Sequence, residues 1–131
     1  MSTTKARVLD VGNCDPDHGM IRQMLIEHFD VDVDRVMFVD EALERMRETP
    51  YDLVLFNRLI FADRSEGIEL VHRARSDTAL NKAPLMMVSN FDNAQDACVA
   101  AGGVQGFGKK AVFEPETAEL LSQYLARKAD T

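Results

Sequence analysis

Short apolar runs alternate along this chain with longer stretches of helical period. Ala6–Val11 reads as a strand and is stopped by Gly12-Asn13. Asp15-Pro16-Asp17 carries helix-start chemistry, and Ile21, Met24, Leu25 and Phe29 follow at helical spacing. The pattern predicts a second strand over Arg35–Val39. A helix capped by Asp40 follows, with Ala42, Leu43 and Met46 on its apolar side and Pro50 at its end. Leu53–Phe56 is continuously apolar, as a strand covered on both faces should be. After the polar stretch Asn57–Glu66, Gly67 opens a helix carrying Ile68, Val71 and Ala74. Leu85–Val88 is a fourth buried strand. Asp92 or Asn93 then caps a helix with Ala94, Ala97, Cys98 and Ala101 inward, closed by Gly102-Gly103. Val104–Phe107 makes a short fifth strand, and Pro115 suits the first turn of a last helix with Ala118, Leu121 and Leu125 on one stripe.

Five strands alternating with five helices predict an α/β fold, a parallel sheet covered on both faces. Right-handed crossovers make it doubly wound. A chain of 131 residues fits a single domain, 1–131, that needs no disulfides to stand. Fifteen Lys+Arg against 22 Asp+Glu leave a net charge of −7, which disfavours direct nucleic-acid binding. No apolar run approaches the ~18–20 residues needed to span a bilayer, so no membrane role is expected. Met1–Lys5 leads straight into a strand pattern without a secretory segment. Cys14 and Cys98 form neither a disulfide framework nor a zinc spacing. These features together predict a cytoplasmic protein.

In open doubly wound sheets, ligands sit beyond the carboxyl ends of the strands. The residues in that position are Gly12, Asn13, Cys14 and Asp15 after the first strand, Asn57 after the third, Ser89-Asn90 after the fourth and Lys109-Lys110 after the fifth. The order and spacing of several segments resemble the receiver domains of response regulators, the CheY-like family. They are Arg7–Val11 with Asp15-Pro16-Asp17, Tyr51–Asn57, Gly67–Leu70, Ala83–Ser89 and Ala101–Lys110. The resemblance covers about Arg7 to Ala126 and implies a flavodoxin-like receiver fold with strand order 2-1-3-4-5. It also implies phosphoryl transfer from a histidine kinase to an aspartate ending the third strand. Two acidic groups after the first strand would hold Mg²⁺, a lysine would neutralise charge, and a hydroxyl and an aromatic residue would report the change.

On that pattern Lys110 takes the pocket-lysine position, with Lys109 as a one-residue register alternative; Ser89 takes the hydroxyl position and Phe107 the aromatic switch position. The phosphoacceptor position is Asn57, whose amide cannot form an acyl phosphate as a carboxylate does. The acidic pair falls on Gly12/Asn13 or Asn13/Cys14, which leaves Asp15 alone nearby. The loop Arg58–Glu66 runs about two residues longer than the family's and lacks its proline, and Ala111 replaces the proline usual after the lysine. A degenerate pseudo-receiver is therefore expected: no catalytic residues, no enzymatic activity, weak or absent Mg²⁺ binding and no other cofactor.

Such a module would act in two-component signalling through protein partners such as a histidine kinase or an output domain. The family's interaction surface corresponds to Asp92–Ala101, Gln105–Gly108 and Glu114–Lys128, which also offers a homodimer face. Two alternatives stand beside it. One is a phosphorylatable receiver in which Asn57 is engineered or another aspartate, such as Asp63, is used. The other is a small-ligand-binding flavodoxin-like module, against which the absence of a Ser/Thr/Gly-rich phosphate cradle counts. Cys98 reads as core, Cys14 as a residue at the pocket mouth, and His18, His28 and His72 as surface or boundary residues.

Overall fold

A computed structural model describes residues 5–128. The elements run β1 (Ala6–Val11), α1 (Asp15–His28), β2 (Val31–Val36), α2 (Val39–Glu48), β3 (Leu53–Asn57), α3 (Ile68–Arg75), β4 (Leu85–Val88), α4 (Asp92–Ala101), β5 (Val104–Phe107) and α5 (Pro115–Leu121). A 3-10 turn, Lys109–Ala111, lies between β5 and α5. The five strands form one sheet in the order β2-β1-β3-β4-β5, and all four pairings are parallel. The expected α/β architecture and strand order are both present.

Alternation along the strands sorts the core into two layers. Leu9, Val11, Val54, Phe56, Leu85 and Met87 pack under α2, α3 and α4 with Leu43, Leu70, Val71 and Cys98. Val8, Leu53, Leu55, Met86, Val88 and Phe107 pack under α1 and α5 with Ile21, Met24, Leu25 and Leu121. β3 is buried at every position because strands and helices cover it on all sides.

The second strand departs from the sequence reading. It occupies Val31–Val36, not Arg35–Val39, and Val39 already belongs to α2. β2 is an edge strand, so the alternation Val31-Asp32-Val33-Asp34 marks a half-solvated strand and not a continuous apolar run. Asp40 does not cap α2. It lies in the first turn and pairs with Arg73 at 2.6 Å, while Glu41 accepts from the Met37 and Phe38 amides at 3.1 Å each. In α4 Cys98 is buried as expected, Gln95 is buried beside it, and Ala97 faces solvent. Gln95 Nε2 donates to the carbonyls of Met87 (2.9 Å) and Ser89 (3.2 Å), and its Oε1 accepts from the Gly106 amide (2.9 Å). One buried side chain thus ties α4 to the ends of β4 and β5, where the site begins.

Candidate functional site

The carboxyl ends of β1, β3, β4 and β5 open onto a crevice of about 290 Å³. Its floor is Asn57, Val88 and Ser89; its walls are Cys14 and Asp17 on one side, Arg58 and Leu59 on the other. Phe61, Arg64, Asn90, Phe91 and Lys109 complete the mouth.

Asn57 is buried at 8% exposure, and its Nδ2 donates to the Gly12 carbonyl at 3.2 Å. The register explains this partner. Val11 stands beside Phe56, so Gly12 is level with Asn57. Gly12 takes a positive φ of 74°, and an added Cβ would lie 2.5 Å from Ile60 Cδ1, so this bend suits glycine. Its carbonyl accepts also from the Phe61 amide at 2.8 Å, which fastens the loop after β3 to the end of β1. Gly67 closes that loop where a Cβ would collide with the Asn57 carbonyl.

Of the four residues expected as a degenerate acidic pocket, Gly12 and Cys14 lie at the crevice with Asn57, whereas Asn13 and Asp15 turn away from it. Cys14 lines the crevice. Asn13 is fully buried, and its Nδ2 donates to Asp10 Oδ1 at 2.6 Å. Asp15 points into solvent and pairs with Arg35 at 2.8 Å. The carboxylate that lines the crevice is Asp17, two residues further on, which the sequence marks only as part of a helix start. Asp17 Oδ2 lies 2.9 Å from Lys109 Nζ. The lysine in the crevice is therefore Lys109, the register alternative. Lys110 is exposed and donates only its backbone amide to Asn90 Oδ1, at 3.1 Å. Lys109 opens the 3-10 turn, which sends successive side chains in different directions.

Ser89 is buried at the end of β4, and its Oγ accepts from the Phe91 amide at 3.2 Å. Phe107 is buried in the α1/α5 layer at 5% exposure. Asp63 does not line the crevice. Its Oδ1 accepts from the Ser65 amide (3.0 Å) and Oγ (2.6 Å), and these bonds hold its carboxyl below the usual range. Cys98 is core, and burial pushes its thiol up.

A second polar cluster lies one pleat below. Asp10 is fully buried on the same side of the sheet as Asn57, but level with Leu55, two residues or roughly 6.6 Å earlier along the strand. It accepts from Asn13 and is bonded to His18 Nδ1 at 2.6 Å. His18 is thus a partner of a buried carboxylate and not a plain boundary residue. The i to i+8 spacing from strand to helix gave no periodic signal. Among the described residues, no group of three or more His, Cys, Asp and Glu side chains converges.

No family model and no curated protein matches this chain. Solved structures do. A candidate response regulator from Chloroflexus aurantiacus superposes with a TM-score of 0.79 at 23% identity, covering 95% of this chain and all of that one (100%). A response regulator from Hahella chejuensis gives 0.72 at 23% identity over 97% of this chain and 100% of its own. The receiver domain of a sensor histidine kinase from Pseudomonas aeruginosa, which holds a magnesium ion in its active-site cleft, gives 0.74 at 16% identity over 92% of this chain and 98% of its own. The fold is that of a response-regulator receiver, CheY-like and flavodoxin-like.

Proposed function

We propose that this chain is a signalling module of the two-component type that takes up no phosphoryl group at Asn57 and acts by presenting a surface to a protein partner. The observation that carries this reading is the state of the crevice. Its central position is an amide committed to the Gly12 carbonyl, and its one lining carboxylate, Asp17, is engaged by Lys109 at 2.9 Å. The other nearby carboxylates are spoken for: Asp10 by His18 and Asn13 a pleat below, Asp15 by Arg35 outside. Such a donor set does not fit Mg²⁺, which needs several hard anionic oxygens to offset lost hydration. The chain is accordingly read as non-catalytic.

The surface proposed for partners is α4, β5 and α5. Phe91, Val99 and Phe113, on or flanking α4 and α5, are 55%, 45% and 51% exposed, more apolar area than a purely solvated face needs. The face is read as a binding surface for a kinase or an output domain.

Incubation with acetyl phosphate and Mg²⁺, followed by intact-mass measurement, is expected to show no phosphoryl addition. The variant Asn57→Asp is expected to stay unlabelled as well, because the acidic pair is still lacking. Stoichiometric Mg²⁺-dependent labelling of either protein would overturn the proposal in favour of an active switch.

A further inference from the structure

We infer that the crevice binds, without any metal, a small anionic ligand whose phosphate-like group is attached to a planar ring. This rests on the geometry of the mouth and not on the signalling role proposed above. Three cationic side chains, Arg58, Arg64 and Lys109, line a cavity whose single carboxylate is Asp17. Lys109 is neutralised by Asp17 at 2.9 Å, whereas neither arginine has a carboxylate partner among the described residues. Two arginines without a carboxylate partner thus line one small cavity in a chain of net charge −7. The loop's own acids do not cancel them: Asp63 is tied to Ser65, and neither it nor Glu66 lines the cavity.

Two further features specify the ligand. Arg64 holds a left-handed backbone, φ 61°, which a non-glycine residue adopts at a cost. Arg58 Cζ lies over the Phe91 ring, 4.8 Å from its centroid, a cation–π contact that holds the guanidinium beside the mouth. Phe61 and Phe91 are 53% and 55% exposed at the same mouth. Their rings offer a face to a flat group once the anion is seated. At about 290 Å³, the cavity suits an anionic head with its ring on the rim, not a large cofactor.

The test is a titration followed by two-dimensional NMR in EDTA at low salt, with phenyl phosphate, inorganic phosphate and phenol as separate probes. Phenyl phosphate is expected to saturate, to shift the amides of residues 58–64 and 89–91, and to bind more tightly than either fragment. Arg64→Gly keeps the backbone conformation and removes the guanidinium, so the fold is safe, and the affinity should fall about tenfold or more. Arg58→Gln should do the same. Four results would overturn the inference: no saturation, equal affinity for inorganic and phenyl phosphate, undiminished binding by both variants, or a requirement for Mg²⁺. Acetyl phosphate labelling, which decides the proposed function, reads a different event, so either idea can fail alone.

Discussion

At the scale of single residues, the strongest commitments are charges placed out of water. Asp10 is fully buried, and His18 and Asn13 supply its partners at 2.6 Å each. His18→Ala would remove one of the two partners of this buried carboxyl, and leaving a buried polar group short of a hydrogen bond costs about 1–3 kcal/mol. Urea denaturation should show that loss, and the double variant Asp10→Asn/His18→Ala should recover much of it, because the carboxylate is gone while an amide oxygen can still accept from Asn13 Nδ2. A cost below about 1 kcal/mol for the single variant would mean that Asp10 is satisfied without His18. Tyr51 makes a gentler pair: its hydroxyl donates to Asp34 Oδ2 at 2.6 Å. That bond, then those from Arg7, hold the Asp34 carboxyl below its ordinary 3.8, while burial and then the Asp34 bond push Tyr51 above 10.0. A depressed carboxylate contributes stability above its unfolded value and loses it as pH falls through the folded one. A raised phenol contributes below its unfolded value and loses it as pH rises through the folded one. Tyr51→Phe should therefore cost about 1 kcal/mol between those limits and less on the acid side, read as urea midpoints against pH. Asn57 and Ser89 were visible from sequence because strand ends announce themselves. The roles of Asp17 and His18 were not, and the choice between Lys109 and Lys110 stayed open, because a side chain's direction at a helix start or a 3-10 turn is set by tertiary packing and not by a repeating period.

At the scale of elements, the sequence pattern located four of the five strands: β3 and β4 as continuous apolar runs, β1 and β5 as short apolar segments bounded by glycines. It misplaced β2, whose edge position leaves only Val31 and Val36 buried. The same limit concealed Gln95. A polar residue on an inward helical position looks like an error until the open carbonyls of Met87 and Ser89 and the amide of Gly106 are seen opposite it. Gln95→Ala would leave these backbone groups without a partner in the core, at about 1–3 kcal/mol. It should also loosen α4 against β4 and β5. Hydrogen exchange at the Gly106 amide is the direct reading: protection should fall there well before it falls in β1 or β3. Unchanged exchange would show that packing of Cys98 and its neighbours, not Gln95, holds α4 down.

At the scale of the whole molecule, the fold and the charge distribution point in different directions. The net charge is −7, yet the crevice at the strand ends carries three cations against one carboxylate. A ligand that binds only the native state raises stability by mass action, about 1.4 kcal/mol at ten times its Kd. For a domain of this size that is a rise of roughly 3–8 °C in Tm. Mg²⁺ at 10 mM should produce no such rise, because the carboxylate it would approach is held by Lys109 and flanked by Arg58 and Arg64. The deficit should be repairable where side chains already line the cavity, and not at Gly12, whose positive φ disfavours a replacement. Cys14→Asp with Asn57→Asp places two new carboxylates on the crevice wall and floor. In that double variant, 10 mM Mg²⁺ should raise Tm by several degrees, while Asn57→Asp alone should stay flat. A rise in the unaltered chain would show that the cations do not govern the crevice. A flat double variant would trace the loss of metal affinity to the remodelled loop after β3, beyond the missing carboxylates.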